Sequence, residues 1–336
     1  METLQDSSSR STRALGLCSG GLDSMLSALV LREQGIHVEW ITFETPFFSA
    51  EKARRAAEKT GIHLHVEDLT ADYLEMIKAP AAGFGKNMNP CMDCHALMFK
   101  KAGEFMQARG FDFLFSGEVV GQRPMSQTTN SLRYVAKHSG FDRFILRPLS
   151  ARKLPETPME VQGLVDREKL LDLSGRSRKP QIALARQFGL TDYPSPAGGC
   201  MLTDPNFSRR LKDLFDHEVA LTPNALNLLK FGRHLRLNPL HKIVVGRTQQ
   251  ENEQIVQHCD PQLDAVIKTN GYPGPTAVLP GGGPDAILFL AGGICAGYTK
   301  APADKSVSVQ VSLAGQVRNI TVLPILPHEA RRFLIN

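Results

Sequence analysis

The sequence predicts an α/β protein in two parts: a doubly wound parallel sheet with helices on both faces, then a smaller C-terminal α+β domain. Strand-like and helical segments alternate through the first half, a glycine turn follows the first strand, and β-branched runs follow a change of composition near Leu221. The 336 residues, 42% of them apolar, are enough for more than one core. We expect a disordered tail over residues 1–12, a first domain over 13–215 and a second over 221–336.

The first domain begins with the strand RALGLC. Apolar residues then recur at helical spacing from Leu22 to Val30, and Gly35 ends this helix. The segments that follow are the strand HVEWITFET, the helix AEKARRAAEKTG, the strand HLHVEDL, the helix LMFKKAGEFMQARG and the strands FDFLFSGE and FILRPL. Two further predicted helices are PMEVQGLVDREKLLDLSG and KPQIALARQFG. This βαβα order predicts parallel pairing of the strands.

The second domain mixes short helices with strands. PNALNLLKFG and QENEQIVQHC have the spacing of helices. The segment VSVQVSLAGQVRNITVL contains two β-branched runs joined by a glycine turn, which predicts a β-hairpin.

Composition limits the class of protein. No apolar run approaches the length of a membrane span, about 18 residues, and the N-terminus lacks the apolar core of a secretory signal. We therefore expect a cytoplasmic protein with reduced cysteines and no membrane partner. The net charge of +5 permits a polyanionic partner. The stretch from Arg143 to Arg186 contains ten Lys or Arg and five Asp or Glu. This basic excess fits a polyanionic partner, but it is also typical of a solvated charged surface.

The turn after the first strand, in LGLCSGGLDSMLSAL, is the first candidate site. Gly20 and Gly21 let the backbone approach an anion, and N–H groups at a helix N-terminus bind phosphate. Ser19 and Ser24 can donate hydroxyls, while Asp23 suits a metal or a positioning role. The pattern is neither G-x-G-x-x-G nor G-x-x-x-x-G-K-[ST], so a plain strand-to-helix turn is the alternative.

SGGLDS resembles the S-G-G-x-D-S signature of the PP-loop ATP pyrophosphatases, and FSGEVVGQRPMSQT resembles a segment of the tRNA 4-thiouridine synthetases. The resemblance spans about Arg13 to Leu149. It implies an adenine nucleotide alpha hydrolase-like fold that binds ATP with Mg²⁺, attacks the α-phosphate and releases AMP and pyrophosphate. Asp23 is an implied catalytic residue. The implied ATP-binding residues are Ser19, Gly20, Gly21, Asp23, Ser24, Phe43, Gly117 and Gln122.

Three cysteines form the second candidate site: Cys91 and Cys94 in NPCMDCH, and Cys200 in SPAGGCMLTD. C-x-x-C is a metal or redox spacing. Four alternatives are structural zinc with His95 as fourth ligand, a thioredoxin-like pair, a persulfide pair that includes Cys200, and a [4Fe–4S] cluster. The pattern resembles that of the tRNA 2-thiouridine synthetases, and this resemblance implies that the three catalytic cysteines hold a cluster, with the persulfide pair as the second choice.

The C-terminal part contains VVGRTQQENEQI, GPTAVLPGG and GGICAGYTKAPADKSVSVQV, which resemble the RNA-binding domain of the NFACT ribosome quality-control proteins over about Leu221 to Leu326. The chain departs from that pattern at Arg247-Thr248 and at AVIKT. The resemblance implies RNA contacts, and scattered surface cations are the alternative. The candidate RNA-binding residues are Arg176, Arg178, Lys179, Arg233, Arg236, Lys242, Arg247 and Lys300.

Together these patterns predict an ATP-dependent tRNA thiouridylase, a sulfurtransferase that adenylates a uridine carbonyl oxygen and replaces it with sulfur. Its partners would be tRNA and a sulfur donor, either sulfide or a cysteine desulfurase. The alternatives are a PP-loop amide or amidine ligase acting on a small molecule, and a non-catalytic RNA-binding protein. The GQ-x-x-SQT loop favours the C4 position of uridine and the cysteine pattern favours C2, so the position stays open.

Overall fold

The computed structural model describes residues 11–195, 200–217 and 221–335. They form two compact units that divide between Cys200 and Met201. Apart from Ser11 and Thr12, the predicted tail lies outside the described residues, as does the Gly198-Gly199 pair before Cys200. Within the described part of the chain, no helix has the length and apolar character needed to cross a membrane.

The first unit is built on a five-stranded parallel sheet, as predicted. Its strands are β1 (Arg13–Leu17), β2 (His37–Glu44), β3 (Leu64–Asp68), β4 (Phe113–Ser116) and β5 (Ile145–Leu146). Their spatial order is β3-β2-β1-β4-β5, and all neighbours pair in parallel. The order reverses between β1 and β4. Ligands of open α/β sheets bind at such a switch point, at the carboxyl ends of the strands.

Helices cover this sheet. They are α1 (Leu22–Arg32), α2 (Glu51–Thr60), α3 (Thr70–Lys78), α4 (Cys91–Arg109), α5 (Thr129–Ser139), α6 (Pro158–Val161) and α7 (Lys179–Gln187). The apolar face predicted for α1 is buried, with Met25 and Leu26 fully inaccessible. Trp40 of β2 is also fully buried in the core of this unit.

The helix predicted to begin at Pro158 is much shorter in the structure than expected. The segment from Pro158 to Gly175 forms only the short α6 and a 3₁₀ turn at Arg167–Lys169. Gly163 has φ +73°, a left-handed conformation that ends α6. The side chain of Asp166 then caps the 3₁₀ turn by accepting a hydrogen bond from the Glu168 N–H.

The second unit is a six-stranded antiparallel sheet with helices. Its elements are α8 (Pro205–His217), α9 (Pro223–Leu228), β6 (Arg233–Asn238), β7 (His241–Val245), α10 (Gln249–Gln257), β8 (Ala265–Thr269), β9 (Thr276–Leu279), α11 (Asp285–Gly297), β10 (Val307–Leu313), β11 (Gln316–Val322) and α12 (Pro327–Ala330). The strand order is β11-β10-β8-β9-β7-β6. The predicted hairpin is present: Ala314 and Gly315 both have positive φ between β10 and β11, as in a type I′ turn.

The boundary between the two units, after Cys200, lies earlier in the chain than the domain boundary at 215–221 expected from the sequence. Helix α8 belongs to the second unit because Asp213 accepts hydrogen bonds from Arg236 of β6 at 2.6 and 3.1 Å. Arg210 of the same helix donates to the Leu229 and Gly232 carbonyls.

Candidate active site and thiol cluster

The glycine turn between β1 and α1 takes a shape that side chains would block. Gly20 has φ +70°, and a Cβ there would lie 2.2 Å from the backbone carbonyl carbon of Lys52. No side chain caps the start of α1, where Gly21 is the N-cap. The first N–H groups of a helix have no intrahelical acceptor, so this end of α1 presents open donors and a positive dipole end. These are the properties of a phosphate-binding turn.

The loop after β4 packs directly against this turn. A Cβ on Gly117 would lie 2.4 Å from the backbone carbonyl carbon of Asp23, so only glycine allows the two backbones to meet. Gln122 of the same loop donates from Nε2 to Asp23 Oδ2 at 2.8 Å. Gln181 of α7 donates in turn to Gln122 Oε1 at 3.0 Å. Three separate segments therefore fix the position of the Asp23 carboxyl group.

The second carboxylate oxygen of Asp23, Oδ1, is buried and has no hydrogen-bond partner among the described residues. The Nε atom of the nearby Arg178 is also buried and without a hydrogen-bond partner. Burial raises the pKa of Asp23, while the hydrogen bond from Gln122 and the charges of Arg178 and Arg123 oppose that shift. Buried polar atoms are normally paired, so these two atoms indicate a missing ligand. A carboxylate oxygen is a Mg²⁺ ligand, and this donor fits the ion that accompanies ATP.

The other predicted ATP-binding residues are placed as follows. Ser24 is buried and its hydroxyl donates to the Gly21 carbonyl at 2.7 Å, so it holds the turn in shape. The hydroxyl of Ser19 accepts from the Gly21 N–H at 3.4 Å. The side chain of Phe43 is buried in β2, where 4% of it is exposed.

The three predicted cysteines come together around a tyrosine that the sequence did not point to. Cys91 is the first residue of α4, and Cys94 lies on the same face one turn later. Burial raises the pKa of the Cys94 thiol to about 12; a hydrogen bond with Tyr73 lowers it, and the charges of Cys200 and Cys91 raise it. The pKa of Tyr73 is raised well above its usual value by burial and by the same three thiols. Asn89 donates to Cys91 Sγ at 3.3 Å.

The arrangement does not match the zinc alternative. Tetrahedral zinc with sulfur ligands requires sulfur atoms within roughly 4 Å of one another. Among the described residues, the three thiols are not a group whose ligand atoms all lie within 4.8 Å. His95, the proposed fourth ligand, instead contacts Glu118 through Nδ1 at 3.0 Å.

A charged network links the thiol helix to the ATP loop. Glu118 is buried and follows Gly117, and it also accepts from Arg147 Nε at 2.9 Å. Burial would raise the pKa of Glu118, but the charge of Arg147 and the hydrogen bond from His95 outweigh it and lower the pKa to about 2. The sequence analysis missed Glu118 and Arg147; the one available signal was an acid placed directly after the glycine of the second loop.

The structure narrows the set of predicted RNA-binding cations. Lys242 is buried with 4% exposure, so it is not displayed on the surface as predicted. Arg236 is paired with Asp213, and Arg247 is paired with Glu251. Arg233 lies over the Tyr298 ring at 4.7 Å. Arg178 lies beside Asp23. Arg247 is exposed despite its ion pair, and the other exposed members of the set are Arg176, Lys179 and Lys300.

Two family models match parts of this chain. Residues 9–153 match the family described as "Thiamine biosynthesis protein (ThiI)". Residues 232–334 match the family described as "NFACT protein RNA binding domain". Both matches fall on the parts of the chain where the sequence motifs lie.

Curated relatives carry the name "tRNA-specific 2-thiouridylase MnmA". The protein from Pseudomonas entomophila is 26% identical over 224 residues, which is 60% of this chain and 55% of the relative. The protein from Sulfurimonas denitrificans is 35% identical over 112 residues, 30% of this chain and 33% of the relative. The chain thus spans about half the length, or less, of these relatives.

One solved structure is described as a predicted subunit of tRNA methyltransferase from Methanocaldococcus jannaschii. It is 18% identical, covers 52% of this chain and 76% of its own, and superposes with a TM-score of 0.33. This TM-score is too low for a shared fold or function to be inferred from the superposition.

Proposed function

We propose that this chain, which carries a ThiI-type PP-loop domain followed by an NFACT-type RNA-binding domain, is an ATP-dependent tRNA sulfurtransferase that converts a uridine to a thiouridine. One observation carries the proposal: a continuous set of contacts joins the phosphate turn to the thiols. Gly117 touches Asp23, Glu118 follows Gly117, and His95 contacts Glu118 next to Cys94. The curated 2-thiouridylases support the substrate class.

The first step uses the turn. The open N–H groups at the start of α1 would hold the phosphates of ATP, with Arg178 as a further cation. Asp23 Oδ1 would hold Mg²⁺, which neutralises charge on the phosphates when bound. A uridine carbonyl oxygen attacks the α-phosphorus, and the bond to pyrophosphate breaks. The uridine then carries AMP on that oxygen, and the carbon becomes an electrophile.

The second step uses the thiols. A desulfurase-type donor transfers the outer sulfur of its own persulfide to Cys200 or to one cysteine of the C-x-x-C pair, and the donor thiol is released. The outer sulfur attacks the adenylated carbon, and AMP leaves with the oxygen. A second cysteine then attacks the inner sulfur. A protein disulfide forms and the new thiocarbonyl is released. A cellular thiol reductant then reduces the disulfide to two thiols for the next turnover.

A [4Fe–4S] cluster is the competing sulfur carrier, because three convergent thiols are the donors such a cluster uses. Purification without oxygen separates the two. The persulfide route predicts a colourless protein with no stoichiometric iron that thiolates tRNA. About four irons per chain, lost from each cysteine variant together with thiolation, would assign the cluster instead.

Cysteine variants test the function itself. Unmodified tRNA, ATP, Mg²⁺, a persulfide donor (a cysteine desulfurase with cysteine) and a thiol reductant are incubated with the protein, and the nucleosides are measured by mass spectrometry. At least two of Cys91→Ser, Cys94→Ser and Cys200→Ser, the ones that remove the persulfide carrier and the resolving thiol, should abolish thiouridine formation. The matched control is Cys259→Ser, a partly buried free thiol of the second unit, which should keep wild-type thiolation. Thiouridine yields unaffected by all three substitutions would remove the thiols from the reaction.

A further inference from the structure

A second cluster of polar side chains, separate from the proposed active site, lies on one face of the parallel sheet. It consists of histidines and a glutamate. His37 and Glu39 alternate along β2, and His65 lies in β3 with His63 two residues before it. The register pairs Trp40 with Leu64 and Ile41 with His65. Side chains two residues apart point to the same face of a sheet, so Glu39 lies beside both His63 and His65.

The potential ligand atoms are close together. One ligand atom each from Glu39, His63 and His65 lie within 4.8 Å of one another, and among the described residues this is the only such group of three. The imidazole Nε2 of His65 lies 2.7 Å from Glu39 Oε2. The rings of His63 and His65 are nearly perpendicular, with centroids 4.5 Å apart.

The two oxygens of Glu39 have different surroundings. Oε1 accepts from the Arg13 guanidinium at 3.0 Å and contacts His37 Nε2 at 3.1 Å. Oε2 faces His65, away from the Arg13 bond. Arg13 therefore orients the carboxylate through one oxygen and leaves the other for a ligand on the histidine side.

We propose that Glu39, His63 and His65 bind a divalent transition metal, with Zn²⁺ as the natural candidate. Two imidazoles and one carboxylate are a donor set that Zn²⁺ accepts, with the remaining position left to water. Zinc–nitrogen and zinc–oxygen bonds of about 2 Å in tetrahedral geometry place ligand atoms roughly 3.3 Å apart. The Glu39–His65 pair, at 2.7 Å, needs to open by only a fraction of an ångström, and His63 is exposed and free to swing towards the ion.

This site is separate from the ATP turn. Glu39 pairs with Leu15, within β1, whereas the turn follows the carboxyl end of that strand. The ring of His65 packs against Phe105 of α4 at 4.8 Å, which fixes it from the helix side. An ion here would join β2 to β3 and would not serve as the Mg²⁺ of the proposed reaction.

The test is a Zn²⁺ titration of the full-length protein by calorimetry, with bound metal counted after dialysis. The measured quantity is the difference in bound zinc between each variant and wild type. His63→Ala and His65→Ala should each lose one equivalent of zinc relative to wild type. Glu39→Gln should weaken this site at least tenfold. The control is His328→Ala, an exposed histidine of α12, which should bind as wild type does.

Folding is checked by thermal unfolding in chelator. His63 is exposed, so His63→Ala should unfold at the wild-type temperature without metal. Added Zn²⁺ should raise the unfolding temperature of wild type more than that of His63→Ala, since a ligand stabilises the state that binds it. Equal zinc stoichiometry and equal zinc-induced shifts in wild type, His63→Ala and His65→Ala would overturn the proposal.

Discussion

At the scale of the residue, the carboxyl group of Asp23 is held on one side only. Gln122 fixes Oδ2, and Oδ1 stays buried with no partner among the described residues. A structural carboxylate would be satisfied at both oxygens, because an unpaired buried oxygen costs about 1–3 kcal/mol. This unpaired oxygen is the observation on which the proposed Mg²⁺ ligand rests.

The first prediction concerns this oxygen. Asp23→Asn keeps the side-chain shape and removes the charge that would hold Mg²⁺. We expect cleavage of ATP to AMP, measured as pyrophosphate release with tRNA present, to fall at least about 100-fold while the thermal unfolding temperature stays near wild type. Asp192→Asn is the control, since Asp192 is exposed and lies in a loop. Wild-type turnover in Asp23→Asn would remove this carboxylate from the chemistry.

Ser19 to Ser24 and the Cys91/Cys94 pair could be proposed from local sequence because their spacing is itself the signal. Tyr73, Glu118 and Arg147 could not, since each acquires its role from a neighbour distant in the chain. Lys242 and Arg236 show the reverse error: cations in a strand look like surface residues until the fold buries or pairs them.

At the scale of the element, the alternating patterns predicted the parallel sheet and the β10–β11 hairpin. They did not reveal α3 or α5, or the start of α4 at Cys91 rather than at Leu97. The first turn of α4 carries cysteines and an acid instead of an apolar face, so periodicity is weak there. The helix predicted after Pro158 was too long because apolar residues keep helical spacing past Gly163, whereas the backbone leaves the helical conformation there.

A second prediction follows from the contact between the two loops. Gly117→Ala places a methyl group 2.4 Å from the backbone of Asp23, which must move the first turn of α1. We expect a loss of about 1–3 kcal/mol in the free energy of unfolding, measured by urea denaturation, and weaker ATP binding. For comparison, Gly21→Ala has ordinary space, with Ser19 Oγ at 3.4 Å, and should cost less stability. Equal stability of the two variants would mean that the loops do not pack as described.

A third prediction concerns pH and strand β6. His234 is buried, and its Nε2 contacts the Leu228 and Phe231 carbonyls at 3.2 and 3.0 Å. Burial lowers its pKa well below the usual value of 6.5, helped by the charges of Arg210 and Lys242. Below pH 6.5 the unfolded chain therefore binds a proton that the folded chain does not, so stability falls as the pH is lowered.

Hydrogen exchange of the β6 and β7 amides between pH 5 and pH 7.5 measures this effect after correction for intrinsic exchange rates. Protection should decrease towards pH 5 in wild type, and His234→Gln should flatten that dependence. His328→Gln, which changes an exposed histidine, should behave as wild type. A His234→Gln variant with the full wild-type pH slope would contradict a buried neutral imidazole.

At the scale of the whole molecule, the chain joins a nucleotide-binding fold to a second unit that matches an RNA-binding family. The sequence predicted both parts because each carries its own motifs. Which cations are available for RNA depended on ion pairing, which only the fold reveals. Lys300 remains exposed, whereas Arg247 is paired with Glu251.

A fourth prediction uses this difference. Lys300→Gln should weaken tRNA binding and reduce the slope of log affinity against log salt by about one, because one fewer phosphate contact releases fewer counterions. Arg247→Gln should change the slope less, since its charge is already matched by Glu251. Filter binding between low and moderate salt measures both. A larger effect from Arg247→Gln than from Lys300→Gln would contradict this assignment of the RNA surface.

The central claim is that ATP activates a uridine carbonyl of tRNA for replacement by sulfur. The direct test is a single reaction mixture in which AMP, pyrophosphate and thiouridine are quantified together, with unmodified tRNA, Mg²⁺ and a sulfur donor. The account predicts the three products in equal amounts and, when tRNA is withheld, none of them. ADP in place of AMP, or steady AMP formation in the presence of donor and tRNA with no thiouridine, would contradict it.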